Sequence, residues 1–102
     1  MPAYALFEVT LQPDPSPEAL AAYDEYRAAV PALIAAAGGR YLARAWAGEA
    51  LEGAAAGDRF HLIEFPDADA ARGFWTSPDY LALKHRRAGA ADVRAVLLLP
   101  PG

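Results

Sequence analysis

Hydrophobic positions recur along the chain with two different periods, and these periods predict an order of strands and helices. In residues 4–11, YALFEVTL, a wholly apolar set alternates with a mixed set, as in a strand whose two faces are covered differently. Apolar residues at three-, four- and seven-residue steps in 17–37 predict a helix. Further alternating segments predict strands at 39–47, 59–65 and 92–100.

The triplet serine, proline and acid occurs twice, at 16–18 and 77–79, and each occurrence predicts a helix start. The hydroxyl caps the helix, the proline fits the first turn, and the acid lies near the positive end of the helix dipole. The first helix should end at the glycine pair 38–39 and should kink at Pro31. The second triplet divides the helical region 67–89 into two short helices joined at a corner.

The predicted order β-α-β-β-α-β is the ferredoxin-like arrangement of an α+β protein. We therefore expect one domain over residues 1–102, in which an antiparallel four-stranded sheet carries its helices on one face. The opposite side of the sheet, called the outer face below, then bears an apolar cluster: Leu6, Phe60, Leu62, Val96 and Leu98. Because this cluster would be a large apolar patch in water, we expect a second copy to cover it, giving a homodimer.

The composition agrees with such an interface and narrows the classes of partner. Of 102 residues, 55% are hydrophobic and 22% are charged, which is rich in apolar surface for a small monomer. The net charge of −4 argues against a nucleic acid partner. The absence of cysteine and of a run of about 20 apolar residues indicates a cytoplasmic protein without a membrane partner.

Two long segments carry a family resemblance. They are AAYDEYRAAVPALIAAAGGRYLAR at 21–44 and IEFPDADAARGFWTSPDYLALKHRRAGAADVRAVLL at 63–98. The chain resembles the family of small bacterial proteins called domain of unknown function 1330. The resemblance implies membership of the dimeric α/β-barrel superfamily, in which two ferredoxin-like sheets pair into a barrel. That superfamily includes cofactor-free monooxygenases, isomerases and haem-handling proteins.

Two carboxylates and a guanidinium on neighbouring strands are candidates for catalysis. Glu8 and Glu64 lie on the mixed faces of the first and third strands, and strict alternation places Arg44 on the corresponding face of the second. A carboxylate beside a cation is a candidate base, and the cation can stabilise developing negative charge. The alternative is an ion pair of structural importance only, which is more common.

Aromatic side chains and one histidine are the candidates on the helix side of the sheet. Tyr23, Tyr26, Trp75 and Tyr80 would line a pocket for a small organic molecule, although aromatics at helical spacing more often belong to the core. His61 should point towards the helices by alternation, where it is an alternative base or a packed strand residue. The two histidines lack metal-ligand spacing, so neither a metal nor another cofactor is expected.

The four residues 84–87, Lys-His-Arg-Arg, end the second helical region. Cations complement the negative end of a helix, so we expect solvated side chains there, with an anion clamp as the alternative. Three functions remain open at this point. The first is an oxygenase or isomerase with a pocket between helices and sheet, the second a binding or sensing dimer, and the third a structural dimer without a ligand.

Overall fold

The chain folds into four strands and three α-helices in the predicted order, and the structure, a computed structural model, describes residues 1–99. The elements are β1 (Ala3–Leu11), α1 (Pro17–Ala36), β2 (Arg40–Ala45), β3 (Arg59–Phe65), α2 (Ala68–Thr76), α3 (Pro78–Lys84), a single turn of 3₁₀ helix (His85–Arg87) and β4 (Ala91–Leu98). The last residue of the predicted fourth strand, Pro100, lies outside the described residues. Within residues 1–99 no helix is both long and apolar enough to cross a bilayer.

The four strands form one sheet in the order β2-β3-β1-β4, and every neighbouring pair is antiparallel. The helices lie on one side of this sheet. The residues buried at alternate positions of β1 face them and form one core with helix residues. This is the ferredoxin-like α+β arrangement, so the predicted fold class is confirmed.

Serine side chains cap the helices as predicted. Ser16 Oγ accepts a hydrogen bond from the Ala19 backbone N–H at 3.1 Å, at the start of α1. At the corner between α2 and α3, Ser77 Oγ accepts from the Tyr80 N–H at 3.2 Å and donates to the Phe74 carbonyl at 2.9 Å. One hydroxyl therefore ends α2 and begins α3. Helix α1 continues through Pro31, and the kink expected there stays a prediction.

The core lies between the helices and the sheet. Its members come from β1, β3 and all three helices: Ala5, Phe7, Tyr26, Val30, Ile34, Ile63, Phe65, Ala71, Phe74 and Tyr80. Tyr80 is completely buried, and its hydroxyl lies 2.9 Å from that of Tyr26. This hydrogen bond joins α1 to α3 and satisfies two phenols that burial removes from water.

The strand register confirms the composition of the outer face. Leu6 lies opposite Leu62 on one side and Val96 on the other, and Tyr4 lies opposite Leu98. Phe60 joins the same face because it lies opposite Glu8, two residues after Leu6. The cluster is thus a continuous apolar stripe across three strands.

A β-bulge in β2 overturns one prediction. Tyr41 lies opposite Ile63, but the next partner, Leu62, lies opposite Ala43, so Leu42 is an extra residue in the strand. The bulge shifts the alternation by one, and Arg44 comes to lie opposite His61. The prediction that Arg44 shares a face with Glu8 and Glu64 was therefore wrong, because strict alternation does not hold across the bulge.

The cations after α3 are also arranged differently from the expectation of solvated side chains. Arg86 is exposed and pairs with Glu25 on α1. Arg87 is only 7% exposed, and its guanidinium carbon lies 5.7 Å from the centre of the Tyr26 ring. The expectation was wrong for Arg87, because the 3₁₀ turn directs this side chain against α1.

Candidate functional site

A cavity of about 310 Å³ lies between α1 and the sheet, on the side of β2 and β3. We call it the helix-side cavity. The side chains that give it chemical character are four aromatics, Tyr23, Tyr26, Tyr41 and Trp46, and five polar groups, Asp24, Arg27, Arg44, Arg59 and His61. Helix α1 supplies one wall through residues a helical turn apart, and the strands supply the other.

His61 is at the centre of the strand wall. It follows from the alternation of β3 that this imidazole points to the helix side, next to Phe7 of β1 and Arg44 of β2. Arg44 Nε donates a hydrogen bond to His61 Nδ1 at 3.3 Å. The rings of Tyr41 and Trp46 stand edge-on to the imidazole, each with its centre 5.8 Å away.

The surroundings of His61 keep its imidazole neutral. Burial is the largest cause, followed by the charges of Arg44 and Arg27, and together they lower the pKa of His61 to about 4. Because Nδ1 accepts from Arg44, the single proton of the neutral ring is on Nε2. His61 thus carries its N–H on Nε2, while the lone pair of Nδ1 is engaged by the guanidinium.

Replacing Arg44 with Gln should raise the pKa of His61 above about 4 without restoring the ordinary 6.5, since burial remains. Titration of the imidazole C–H resonances by NMR measures this value. In the unmutated protein, the His61 imidazole is protonated near pH 6.5 when the chain is unfolded but only near pH 4 when it is folded. The free energy of unfolding therefore falls as the pH drops from 6.5 towards 4. The variant should lose less stability over that window. An unchanged pKa would contradict the coupling, and Arg72→Gln on the exposed surface of α2 is the control.

Arg44 lies against two aromatic rings. Its guanidinium carbon is 4.4 Å from the centre of the Tyr41 ring and 5.3 Å from that of Trp46. Within residues 1–99 no carboxylate lies within 4.0 Å of Arg44. Cation–π contacts and the bond to His61 hold the side chain in place, and its charge is left without an acidic partner.

The helix wall of the cavity is built by two stacked phenols. The rings of Tyr23 and Tyr26 are nearly parallel, with centres 6.3 Å apart. Burial raises the pKa of Tyr26, so its phenol stays protonated and cannot accept a proton from a substrate. Tyr80 lies behind Tyr26 and does not line the cavity, so its predicted contact with a ligand stays a prediction.

Trp75 lines a second cavity, of about 380 Å³, between α2 and strands β1 and β4. Phe7 lines both cavities, so the two cavities adjoin at this residue. Its ring meets that of Trp75 edge to face, with ring centres 5.6 Å apart. Among the described residues that line this second cavity, the charged side chain is Arg72, and none is a carboxylate or a histidine. The described residues with acid–base chemistry therefore line the helix-side cavity instead.

Glu8 and Glu64 are on the outer face and do not line the helix-side cavity. Glu64 accepts a hydrogen bond from Arg40 Nε at 2.9 Å, and Glu8 lies opposite Phe60 and Arg94. The predicted catalytic residues thus separate into two pairs, one on each face of the sheet. In the part of the chain that the structure describes, no three carboxylates or histidines are grouped as metal ligands would be.

Five of the nine side chains named above for the helix-side cavity were missed by sequence reasoning: Asp24, Arg27, Tyr41, Trp46 and Arg59. For Arg27 a signal existed, because it follows Tyr23 by four residues and so shares its helix face, and its guanidinium carbon lies 5.8 Å from that ring. Tyr41 and Trp46 were assigned to opposite faces of β2 because the bulge between them has no clear signature in sequence. Arg59 is held by hydrogen bonds to the carbonyls of Trp46 and Asp58 at 2.9 and 3.0 Å.

A comparison with protein families matches residues 2–99 to the one described as domain of unknown function (DUF1330). The chain belongs to the DUF1330 family. The resemblance seen in the sequence is thereby confirmed over nearly the whole chain. No functionally curated protein matches this DUF1330 chain.

Solved structures similar to this DUF1330 protein share its fold. A protein of unknown function from Rhodopseudomonas palustris is 23% identical, with a TM-score of 0.77 over 99% of this chain and 83% of the other. A dimeric ferredoxin-like protein of unknown function from Jannaschia sp. is 13% identical, with a TM-score of 0.70 over 98% and 100%. SnoaB, a cofactor-independent oxygenase from Streptomyces nogalater, is 15% identical, with a TM-score of 0.65 over 99% and 94%. At these identities the likeness establishes the fold alone.

Proposed function

We propose that this protein is a small-molecule enzyme of the cofactor-independent oxygenase or isomerase type, with its active site in the helix-side cavity. The observation that carries the proposal is a neutral imidazole, His61, in an aromatic-walled cavity, hydrogen-bonded to a guanidinium that has no acidic partner within residues 1–99. Such a pair supplies a proton acceptor and a stabiliser of negative charge at one place. The fold shared with SnoaB, itself a cofactor-independent oxygenase, supports the reaction type.

The step common to both reaction types is the removal of a proton from a carbon or oxygen beside a carbonyl group or aromatic ring. His61 Nδ1 receives this proton once Arg44 turns its donors from the imidazole to the substrate oxygen. The positive charge of Arg44, next to the imidazole, then stabilises the enolate or phenolate that forms, and Tyr23 and Tyr26 position the organic ring. Return of the proton to another carbon gives an isomerase, and reaction of the carbanion with dioxygen gives an oxygenase.

The carboxylates Glu8 and Glu64 are the alternative bases from sequence. Because they lie on the outer face, with Glu64 engaged by Arg40, we assign proton transfer to His61. Trp75 and Tyr80 are assigned a supporting role, since Tyr80 orients Tyr26 through its hydroxyl and Trp75 packs on Tyr80 with ring centres 4.9 Å apart.

We also propose that the chain forms a single domain that acts as a cytoplasmic homodimer, with the outer faces of two copies packed together. The apolar stripe around Leu6, Leu62 and Val96 supports this pairing, as does the dimeric state of structural neighbours. We expect sedimentation equilibrium to give twice the mass of one chain. A single-chain mass at high protein concentration would contradict the pairing.

A second candidate function is a binding or sensing dimer without catalysis. It is favoured by the hydrogen bond from Arg44 Nε to His61 Nδ1, which engages the lone pair that a base must use. On this alternative the same cavity binds a ligand, and the imidazole contributes only its Nε2–H as a donor.

Hydrogen–deuterium exchange separates the two functions. Two probes with an acidic C–H beside a carbonyl and an aromatic ring, 2-tetralone and phenylpyruvate, are incubated in D₂O with the protein and a chelator, and loss of the α-proton signal is followed by NMR. Faster exchange than in buffer with at least one probe is the result expected of the enzyme. If neither probe exchanges faster, the proton-transfer function is contradicted and the binding function is favoured.

A further inference from the structure

The charged residues that line the helix-side cavity are mostly cationic, although the chain as a whole is acidic. Among the lining residues that the structure describes, three guanidinium groups, Arg27, Arg44 and Arg59, face a single carboxylate, that of Asp24, in a protein of net charge −4. The excess of acid is therefore elsewhere on the molecule. A cavity whose charge is opposite to that of its protein favours a ligand of negative charge.

The three guanidinium groups differ in how much donor capacity is free. Arg27 is partly neutralised by Asp24, with Nη1 to Oδ1 at 3.7 Å. Arg59 Nη1 already donates to two backbone carbonyls. Arg44 makes one hydrogen bond within residues 1–99, from Nε, so its terminal Nη1 and Nη2 groups are free to donate. These two parallel donors are the geometry that binds a carboxylate through both oxygens.

The walls and the size of the cavity indicate the shape and size of the ligand that it can bind. Phenol and indole rings from α1 and β2 line the space, and flat rings stack well on such walls: Tyr23, Tyr26, Tyr41 and Trp46. A volume of about 310 Å³ is at the lower end of the range of small-molecule sites, about 300–1,000 Å³. One or two fused rings with a small substituent fit this volume.

We propose that the substrate is a planar organic carboxylate, an aromatic or conjugated ring acid, bound by the terminal nitrogens of Arg44. This inference rests on the proposed function for the choice of site, and it adds the chemical class of the molecule. One fork of two donors, with no glycine among the described lining residues, matches a singly charged carboxylate better than a phosphate. Arg27 contributes long-range attraction at the α1 rim.

Binding of such an anion would also change His61. The charged and phenolic groups that line the cavity around it are Asp24, Arg27, Tyr23 and Tyr26 from α1, Tyr41 and Arg44 from β2 and Arg59 from β3. Arg44 and Arg27 are the charges that lower the pKa of this imidazole, so an anion that neutralises them raises it. The ligand thereby makes His61 a stronger base at the moment it is needed.

A matched pair of inert probes tests the charge preference: 2-naphthoate and the neutral 2-naphthamide, which share the ring system and the number of non-hydrogen atoms. Isothermal titration calorimetry with the full chain should show naphthoate binding at least about tenfold tighter than the amide, as a charge-assisted bidentate contact requires. Arg44→Gln should reduce this preference to less than about threefold. The control Arg72→Gln removes the same charge from the second cavity and should keep the preference, because Arg72 does not line the helix-side cavity.

Equal affinity for the two probes, or no binding of either in the millimolar range, overturns the inference. A preference that survives Arg44→Gln overturns it as well, because the carboxylate is then held elsewhere. These outcomes are independent of turnover. If naphthoate is preferred through Arg44 while no ketone exchanges its α-proton, the ligand class stands and the catalytic function fails.

Discussion

Replacing His61 with Gln should lower the enzyme-catalysed rate of α-proton exchange by about two to four orders of magnitude, the usual contribution of a positioned general base. Glutamine preserves a polar side chain of similar length on β3 but has no lone pair of comparable basicity. Among the residues described, His61 is the one imidazole that lines the helix-side cavity, and the one carboxylate there, Asp24, is paired with Arg27, so no neighbouring side chain replaces His61. The rate is measured by NMR in D₂O with whichever ketone the unmutated protein accepts.

The companion variant Glu64→Gln distinguishes the two faces of the sheet. It removes a carboxylate that is hydrogen-bonded to Arg40 on the outer face, and the exchange rate should stay unchanged. Loss of exchange in Glu64→Gln with full exchange in His61→Gln would contradict our assignment and would locate the base on the outer face. Naphthoate affinity, measured for both variants, shows whether the cavity is still intact.

Replacing Tyr80 with Ala should lower the free energy of unfolding by about 3–5 kcal/mol, as for other large aromatic side chains removed from a core. Tyr80 is fully buried, and its ring lies 4.7 Å from that of Phe74 and 4.9 Å from that of Trp75, centre to centre. The substitution leaves a void among three helices and also an unpaired phenol on Tyr26. Urea denaturation followed by circular dichroism measures the change.

Two further variants make the Tyr80 result interpretable. Tyr80→Phe keeps the ring and removes only the hydroxyl, so we expect a loss of about 1 kcal/mol from the broken bond to Tyr26. Leu81→Ala, at a neighbouring position on α3 that is 44% exposed, should change stability by about 0.5 kcal/mol or less. If Tyr80→Ala destabilises no more than Leu81→Ala, the core position assigned to Tyr80 is wrong.

The fold was predictable because its local signals agree with one another. Strand alternation in residues 4–11 and 59–65 and the capping serines Ser16 and Ser77 each indicate their element independently. Their order leaves few topologies open, since connections are short and neighbouring strands pair. The same alternation also identified the apolar outer face and the orientation of His61.

The candidate site was only half predictable, because it depends on an irregularity. Alternation gave the correct face for His61 but the wrong face for Arg44, since the extra residue Leu42 shifts the phase of β2. Tyr23 and Tyr26, predicted from their spacing on α1, both line the helix-side cavity, and their contact with a ligand stays a prediction; the spacing could not separate them from Tyr80, which is buried behind them. Burial of Arg87 depends on the direction of a 3₁₀ turn, which composition near a helix end does not specify.

The extra residue in β2 has a practical consequence for comparing this chain with its relatives. A chain that lacks one residue between Tyr41 and Arg44 would form an uninterrupted ladder and would still hold its guanidinium opposite His61. When sequences of relatives are aligned, positions in β2 should therefore be matched backwards from Ala45. Matching forwards from Gly39 would align the arginine of a shorter relative with Ala43 instead of Arg44. An alignment gap here marks a change in strand length and leaves the chemistry of the cavity intact.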